Sequence, residues 1–384
     1  MLEEESLELS KALIQCKSIT PKDDGALEVL SKYLTKLGFV CNQVTFSESG
    51  TPEVKNLYAK LGSSSPNICF AGHTDVVDPG NKKDWLSKPF EPTIRDAMLF
   101  GRGAADMKCA IAAFAVATKI FQKNIGATFS GSISFLITGD EEGPAINGTK
   151  KMIDWLKRQG EVLDHCIVGE PTSSHRLGDM VKIGRRGSLN ASITITGTQG
   201  HVAYPDLAIN PVPHLIKFLH SINKKVWDNG NNHFQPTNLE ITSVKIENTI
   251  TNIIPKEGSA QLNIRFNNLH TGESIKKYLK KVQKKISIPS TIGISVSGEA
   301  FLTSPGFLTN TIASAINFNN GFNPKLTTTG GTSDARFIKN ICPVCEFGML
   351  NTTAHKVDEH VALKDIFSLT KIYTKFLELY FSRT

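Results

Sequence analysis

The chain has 384 residues, 40% of them hydrophobic and 21% charged, with a formal net charge of +7. That balance excludes a disordered chain, and the length is generous for one core and suits two domains. No apolar run approaches the ~20 residues of a membrane span, and the acidic start Met1-Leu2-Glu3-Glu4-Glu5 lacks the basic and apolar regions of a signal peptide. A cytoplasmic protein without membrane contact is expected.

The elements follow in chain order. Helical spacing of Leu9, Leu13 and Ile14 predicts a helix over 6–15, and Leu27, Leu30, Leu34 and Leu37 predict another over 26–37, stopped by Gly38. Strands are expected at 39–46, 56–61 and 68–72. The last ends in His73-Thr74-Asp75. A neutral imidazole is a good zinc ligand, and a nearby carboxylate can orient it; taken alone, the pair also fits a structural role. The glycine-rich turn Gly101-Arg102-Gly103 delivers Asp106 just before an alanine-rich helix over 109–120. One carboxylate there can bridge two metals or merely cap the helix.

The apolar strand 133–137 runs into Gly139-Asp140-Glu141-Glu142-Gly143. In a turn, adjacent carboxylates can converge on one site, one holding a metal and one moving protons; the alternative is a solvated acidic turn. A helix is predicted over 149–159. The strand 166–169 then ends in Glu170-Pro171-Thr172. Open α/β sheets bind ligands outside the carboxyl ends of their strands. Here one strand end after another carries metal-compatible side chains.

From Asp179 the pattern changes. Strands over 181–183, 189–196, 239–247, 260–266 and 292–297 alternate apolar and polar residues. They are interleaved with a helix over 210–225 and one carrying Lys276-Lys277, Lys280-Lys281 and Lys284-Lys285. Ile275, Leu279, Val282 and Ile286 give that helix a buried side, so the lysines read as a solvated face and not as a nucleic-acid surface. A modest positive field also suits an anionic substrate. The β-α-β-β-α-β order is a ferredoxin-like α+β insert. It is expected at 179–296, interrupting an α/β domain with a mixed central sheet made of 1–178 and 297–384. Seven cysteines, an odd number in mostly apolar surroundings, read as reduced buried thiols. Cys342-Pro-Val-Cys345 has no second pair to complete a zinc site.

His73-Thr74-Asp75, Gly101-Arg102-Gly103-Ala104-Ala105-Asp106-Met107-Lys108, Asp140-Glu141-Glu142-Gly143, Glu170-Pro171-Thr172 and His355-Lys356-Val357 occur in this order over almost the full length. Together they resemble the M20 family of two-zinc peptidases and deacylases. Gly143-Pro144-Ala145-Ile146-Asn147-Gly148-Thr149, Gly184-Arg185-Arg186-Gly187-Ser188-Leu189 and the run from Thr329 to Phe337 narrow the resemblance further. They point to members that cleave the succinyl amide of N-succinyl-LL-2,6-diaminopimelate. Acetylornithine, other acylated amino acids and dipeptides are the alternative substrates, and an inactive binding relative is the non-enzyme alternative.

The resemblance implies that His73 and Glu170 bind one Zn2+, that Glu142 and His355 bind the other, and that Asp106 bridges them; Co2+ can substitute. Asp75 would hold His73, and Glu141 would be the general base. The insert would form a homodimer and bring His201 to the partner's active site as an oxyanion donor. Arg185, Arg265 and Arg336 would pair with substrate carboxylates. Gly331 and Thr332 would offer backbone N–H groups, with Tyr204, Asn252 and Asn351 as further contacts. Cys109 departs from the glycine common at its place. Motif alignment selects His355 and leaves His360 outside the site.

Overall fold

The apolar run ending at His73 forms the strand Asn67–His73, buried along its whole length. It lies parallel to Ser132–Thr138 on one side and to His165–Val168 on the other. The computed structural model describes residues 2–125, 129–331 and 333–382. Within it the chain divides into two units, the first comprising the residues up to Ile183, Thr303–Thr327 and the chain from Ser333.

The eight-stranded sheet of this unit runs Val40–Phe46, Val54–Gly62, Ser132–Thr138, Asn67–His73, His165–Val168, Val344–Glu346, Met180–Lys182, Lys325–Thr327. It is parallel at the centre and antiparallel at the Val40–Phe46 edge. Strands covered on both faces read as continuous apolar runs, and Ser132–Thr138 is also buried throughout. Their register sets Phe70 beside Phe135 and His73 beside Thr138. The carboxyl ends of neighbouring strands therefore finish together, where such sheets bind ligands.

The helix Cys109–Ile125 is buried almost all round, because Ala110, Ala112, Ala113, Ala115 and Ala117 let neighbours approach closely. Phe114 on this helix stacks on Phe70 at 4.5 Å and meets Phe135 at 5.4 Å. It meets Tyr373 of the helix Leu363–Phe381 at 5.2 Å. Each such ring pair adds ~0.5–1.5 kcal/mol beyond area burial, and together they tie both helices to the strand that carries His73. The seven cysteines are free thiols, and Cys69, Cys109, Cys166, Cys342 and Cys345 are buried. Burial pushes the Cys109 thiol up to about 12, which leaves it unreactive.

The second unit is Gly184–Leu302 with the short stretch from Thr328. Its antiparallel sheet runs Asn238–Lys245, Glu257–Phe266, Gly187–Thr196, Ser290–Gly298. This is the ferredoxin-like order expected from the sequence. Leu189, Ala191, Ile193 and Ile195 alternate onto one face. There they pack with Leu262, Ile264 and Phe266 and with Leu215, Phe218, Ile275 and Leu279 of the two helices. Pro211 opens its helix at a position that needs no N–H, with Asn210 accepting from the Val212 N–H at 3.0 Å.

The domain limits read from the sequence need correction at both ends. Met180–Lys182 is not an insert strand: it pairs with Lys325–Thr327 and with Glu346 in the eight-stranded sheet. At the other end the insert sheet continues to Gly298, opposite Ser188, and Phe301–Leu302 pairs with Gly184–Arg185. A three-residue strand is too short for periodicity to assign it to one sheet or the other.

Candidate metal centre

The first unit brings His73, Asp106, Glu142, Glu170 and His355 to one place. His73 closes Asn67–His73 and is only 1% exposed. Its Nδ1 donates to the Asp75 carbonyl at 2.9 Å, which turns Nε2 toward Asp106 Oδ1 at 3.2 Å and Glu170 Oε1 at 3.8 Å. Glu170 follows His165–Val168 through Gly169. A side chain at Gly169 would collide with Phe70 and Met107, and one at Gly72 would also meet Met107. Glycine at both positions lets the Met107 side chain, fully buried, pack beneath the site.

Asp106 sits in a non-helical stretch (φ −129°, ψ 95°) just before Cys109–Ile125, so it does not cap that helix. Its Oδ1 faces His73, and its Oδ2 lies 3.3 Å from His355 Nε2. The same His355 nitrogen is 2.7 Å from Glu142 Oε1. His355 stands on a loop at φ +64°, 49% of its side chain exposed. Two groups therefore share Asp106: His73–Asp106–Glu170 and Asp106–Glu142–His355, with ligand atoms within 4.8 Å in each. Glu141 borders them, within the same distance of His73. His360 is turned away, its Nδ1 bonded to the Asp358 carbonyl at 2.7 Å and its ring 4.6 Å from Phe100.

Asp75 is fully buried, and its carboxylate lies beside the His73 ring. Its oxygens accept the Glu141 and Glu142 N–H groups at 3.3 and 3.0 Å, leaving Nδ1 at 3.6 Å. The backbone carbonyl of Asp75 accepts from the ring, and its carboxylate also shapes the acidic turn. The turn leaves two partly buried N–H groups in need of acceptors, and this carboxylate supplies them.

The electrostatics call for cations. Burial disfavours a charged His73, yet Asp106, Asp75 and Glu141 outweigh it and hold the imidazole well above its usual range. Hydrogen bonds to Asp106 and Glu142 push His355 up to about 10. Burial, then Glu170 and Asp334, push the Glu141 carboxyl well up. His73 Nε2 and Asp106 Oδ1 are buried without a hydrogen bond. Buried carboxylates at this density must be protonated, paired or coordinated. A mixed imidazole and carboxylate set around a bridging Asp fits two divalent cations.

The other expected contacts are distributed over both units. Arg336, in the first, lies 3.9 Å from Asp334 and 4.6 Å from the Phe337 ring, and Asn351 is exposed. In the second unit, Arg185 is buried and donates to the Thr329 carbonyl at 3.2 Å. Gly330 beside it has φ +106°, Gly331 is exposed, and Thr332 lies outside the described residues. Arg265 donates to Asn263 at 3.0 Å. His201 and Tyr204 are exposed, their rings 5.7 Å apart, and the Asn252 carbonyl accepts from Val202 at 3.0 Å. Sequence reasoning missed Asp334, which is buried near Glu141, and the Arg102–Glu359 pair. It also missed Arg186, next to Arg265.

The family model of Peptidase family M20/M25/M40 matches residues 69–379, and the chain belongs to this family. It is 52% identical to the succinyl-diaminopimelate desuccinylase of Parvibaculum lavamentivorans over 380 residues, 98% of this chain and 95% of the relative. It is also 52% identical to that of Pelagibacter ubique over 377 residues, 97% and 98% of the two chains. Among solved structures it is similar to an M20 family metallo-carboxypeptidase from Sulfolobus solfataricus, with TM-score 0.79, 18% identity and 98% and 99% coverage. A dinuclear metal-binding M20 peptidase from Bacillus subtilis superposes with TM-score 0.71 at 12% identity, covering 100% and 99%.

Proposed function

We propose that this chain hydrolyses N-succinyl-LL-2,6-diaminopimelate to succinate and LL-2,6-diaminopimelate, a step of lysine and diaminopimelate biosynthesis. Two groups of imidazole and carboxylate ligands sharing Asp106 carry the reading, joined to full-length relatives of that name. His73 and Glu170 would hold one Zn2+ and Glu142 and His355 the other, with Asp106 shared between them, and Co2+ could replace either. Bound there, two such cations would supply an acidified water and a polarised amide carbonyl. Glu141 takes the water's proton and passes it to the leaving amine. Asp75 keeps Glu141 and Glu142 in register by holding their N–H groups.

The insert makes a homodimer, in which His201 donates to the oxyanion in the partner's site. Solvent-exposed apolar side chains around it, Val202, Leu207 and Ile250, support this surface. Arg185, Arg265 and Arg336, the backbone of Gly331 and Thr332, and Tyr204, Asn252 and Asn351 receive the anionic substrate. No described helix is long and apolar enough to cross a membrane, which is in keeping with the proposed cytoplasmic location. The test is a side-by-side assay of the zinc-loaded protein with N-succinyl-LL-diaminopimelate and N-acetylornithine. Rapid release of succinate with little acetate is expected; acetate release alone would transfer the same centre to the deacetylase activity.

A further inference from the structure

We infer that Arg102 and Glu359 are positioning residues that set the affinity of the exposed half of the metal centre, an assignment that rests on the ligand reading above. The two form an ion pair of 2.7 Å with side chains only 3% and 0% exposed. Neither touches a ligand side chain. Each instead binds the backbone that carries one.

Glu359 Oε1 accepts from the Ala105 N–H at 2.8 Å and from the Asp106 N–H at 3.1 Å. Its Oε2 receives Arg102 Nη1. Arg102 donates onward, from Nη1 to the Lys356 carbonyl at 3.1 Å and from Nη2 to the His355 carbonyl at 3.5 Å. One buried pair thus joins the turn of the bridging Asp106 to the loop of His355. A planar guanidinium suits this geometry, since it can hold a carboxylate and two carbonyls at once.

The surroundings fix the pair on both sides. The Gly101 N–H donates to the Glu359 carbonyl at 2.9 Å, and His360 pairs with Phe100 across the strands on either side. The guanidinium lies 5.1 Å from the Trp85 ring. His355 has no strand or helix of its own to hold it, and it adopts a left-handed φ that non-glycine residues rarely adopt. The distance between His355 Nε2 and Asp106 Oδ2 is therefore set through this pair. His73 needs no such support, because it closes a buried central strand.

The experiment is a calorimetric titration of the metal-free, full-length protein with Zn2+, comparing the wild type with Glu359→Gln and Arg102→Lys. Outer residues that orient ligands typically contribute about 10–100-fold in metal affinity. The expected result is two ions in the wild type. In both variants the ion held by His355 should bind about 10–100-fold more weakly, a larger loss than for the ion held by His73. A wild type that takes fewer than two ions would overturn the ligand reading itself. With two ions in the wild type, unchanged affinities in a folded variant would overturn the positioning role. Equal weakening of both ions would do the same, since it would mark a general loss of packing. Arg102→Lys keeps the charge, and decides the question by the same measurement if Glu359→Gln does not fold.

Discussion

The two halves of the candidate metal centre share Asp106 and differ in how their histidines are held. His73 closes a strand in the middle of a sheet, is 1% exposed, and has its tautomer set by a backbone carbonyl. His355 stands on a loop with 49% of its side chain in solvent, supported from behind by the Arg102–Glu359 pair. One half is rigid because the core makes it so. The other is rigid only to the extent that a buried polar pair holds its loop. Similar ligand chemistry can thus rest on quite different foundations.

The bridge gives the largest test of this comparison. Asp106→Ala removes a ligand from both groups at once. Loss of both ions is expected, with a drop in turnover beyond the ~10²–10⁴-fold ascribed to a lost acid–base group. Metal analysis after gel filtration decides it; one ion retained at wild-type affinity would mean that the halves are independent.

Next in size is Glu141→Gln. Glu141 borders the centre without completing either of the Asp106-sharing groups. Turnover should fall about 10²–10⁴-fold while both ions remain bound. Substantial residual activity would remove Glu141 from the role of base.

The smallest effect is a pH dependence of the metal-free protein, peculiar to the exposed half. His355 has its pKa raised to about 10 by Asp106 and Glu142, against ~6.5 for an unfolded histidine. A raised folded value means that the protonated form is the stabilised one. Its contribution is complete below pH ~6.5 and disappears as pH rises through about 10. Melting temperatures of chelator-treated protein should decline over that window, and less steeply in His355→Gln. Parallel slopes in the two proteins would show that the Asp106 and Glu142 contacts do not hold the proton.

Much of the centre was legible in the sequence, for a physical reason. Strands buried on both faces must be continuous apolar runs, so the residues that end them stand out, as His73 and Glu170 do. The insert was legible because its sheet has one wet face and therefore alternates, from Leu189 through Ile195. The Met180–Lys182 strand was misassigned because three residues show no period. Glu359 and Arg102 carried no signal, since a single acid among 36 and a single base among 43 look like surface residues until burial is known.

The sequence by itself determined the candidate ligand types, their order and the α/β plan, because local periodicity marks the strand ends and a family resemblance marks the motifs on them. Only the tertiary structure decided that the Asp75 carbonyl accepts from His73 while its carboxylate also takes the Glu141 and Glu142 N–H groups. It alone joined the Asp106 turn to the His355 loop through one ion pair. Hydrogen-bond partners far apart along the chain are chosen by the packing that brings them together, and no local pattern encodes that choice.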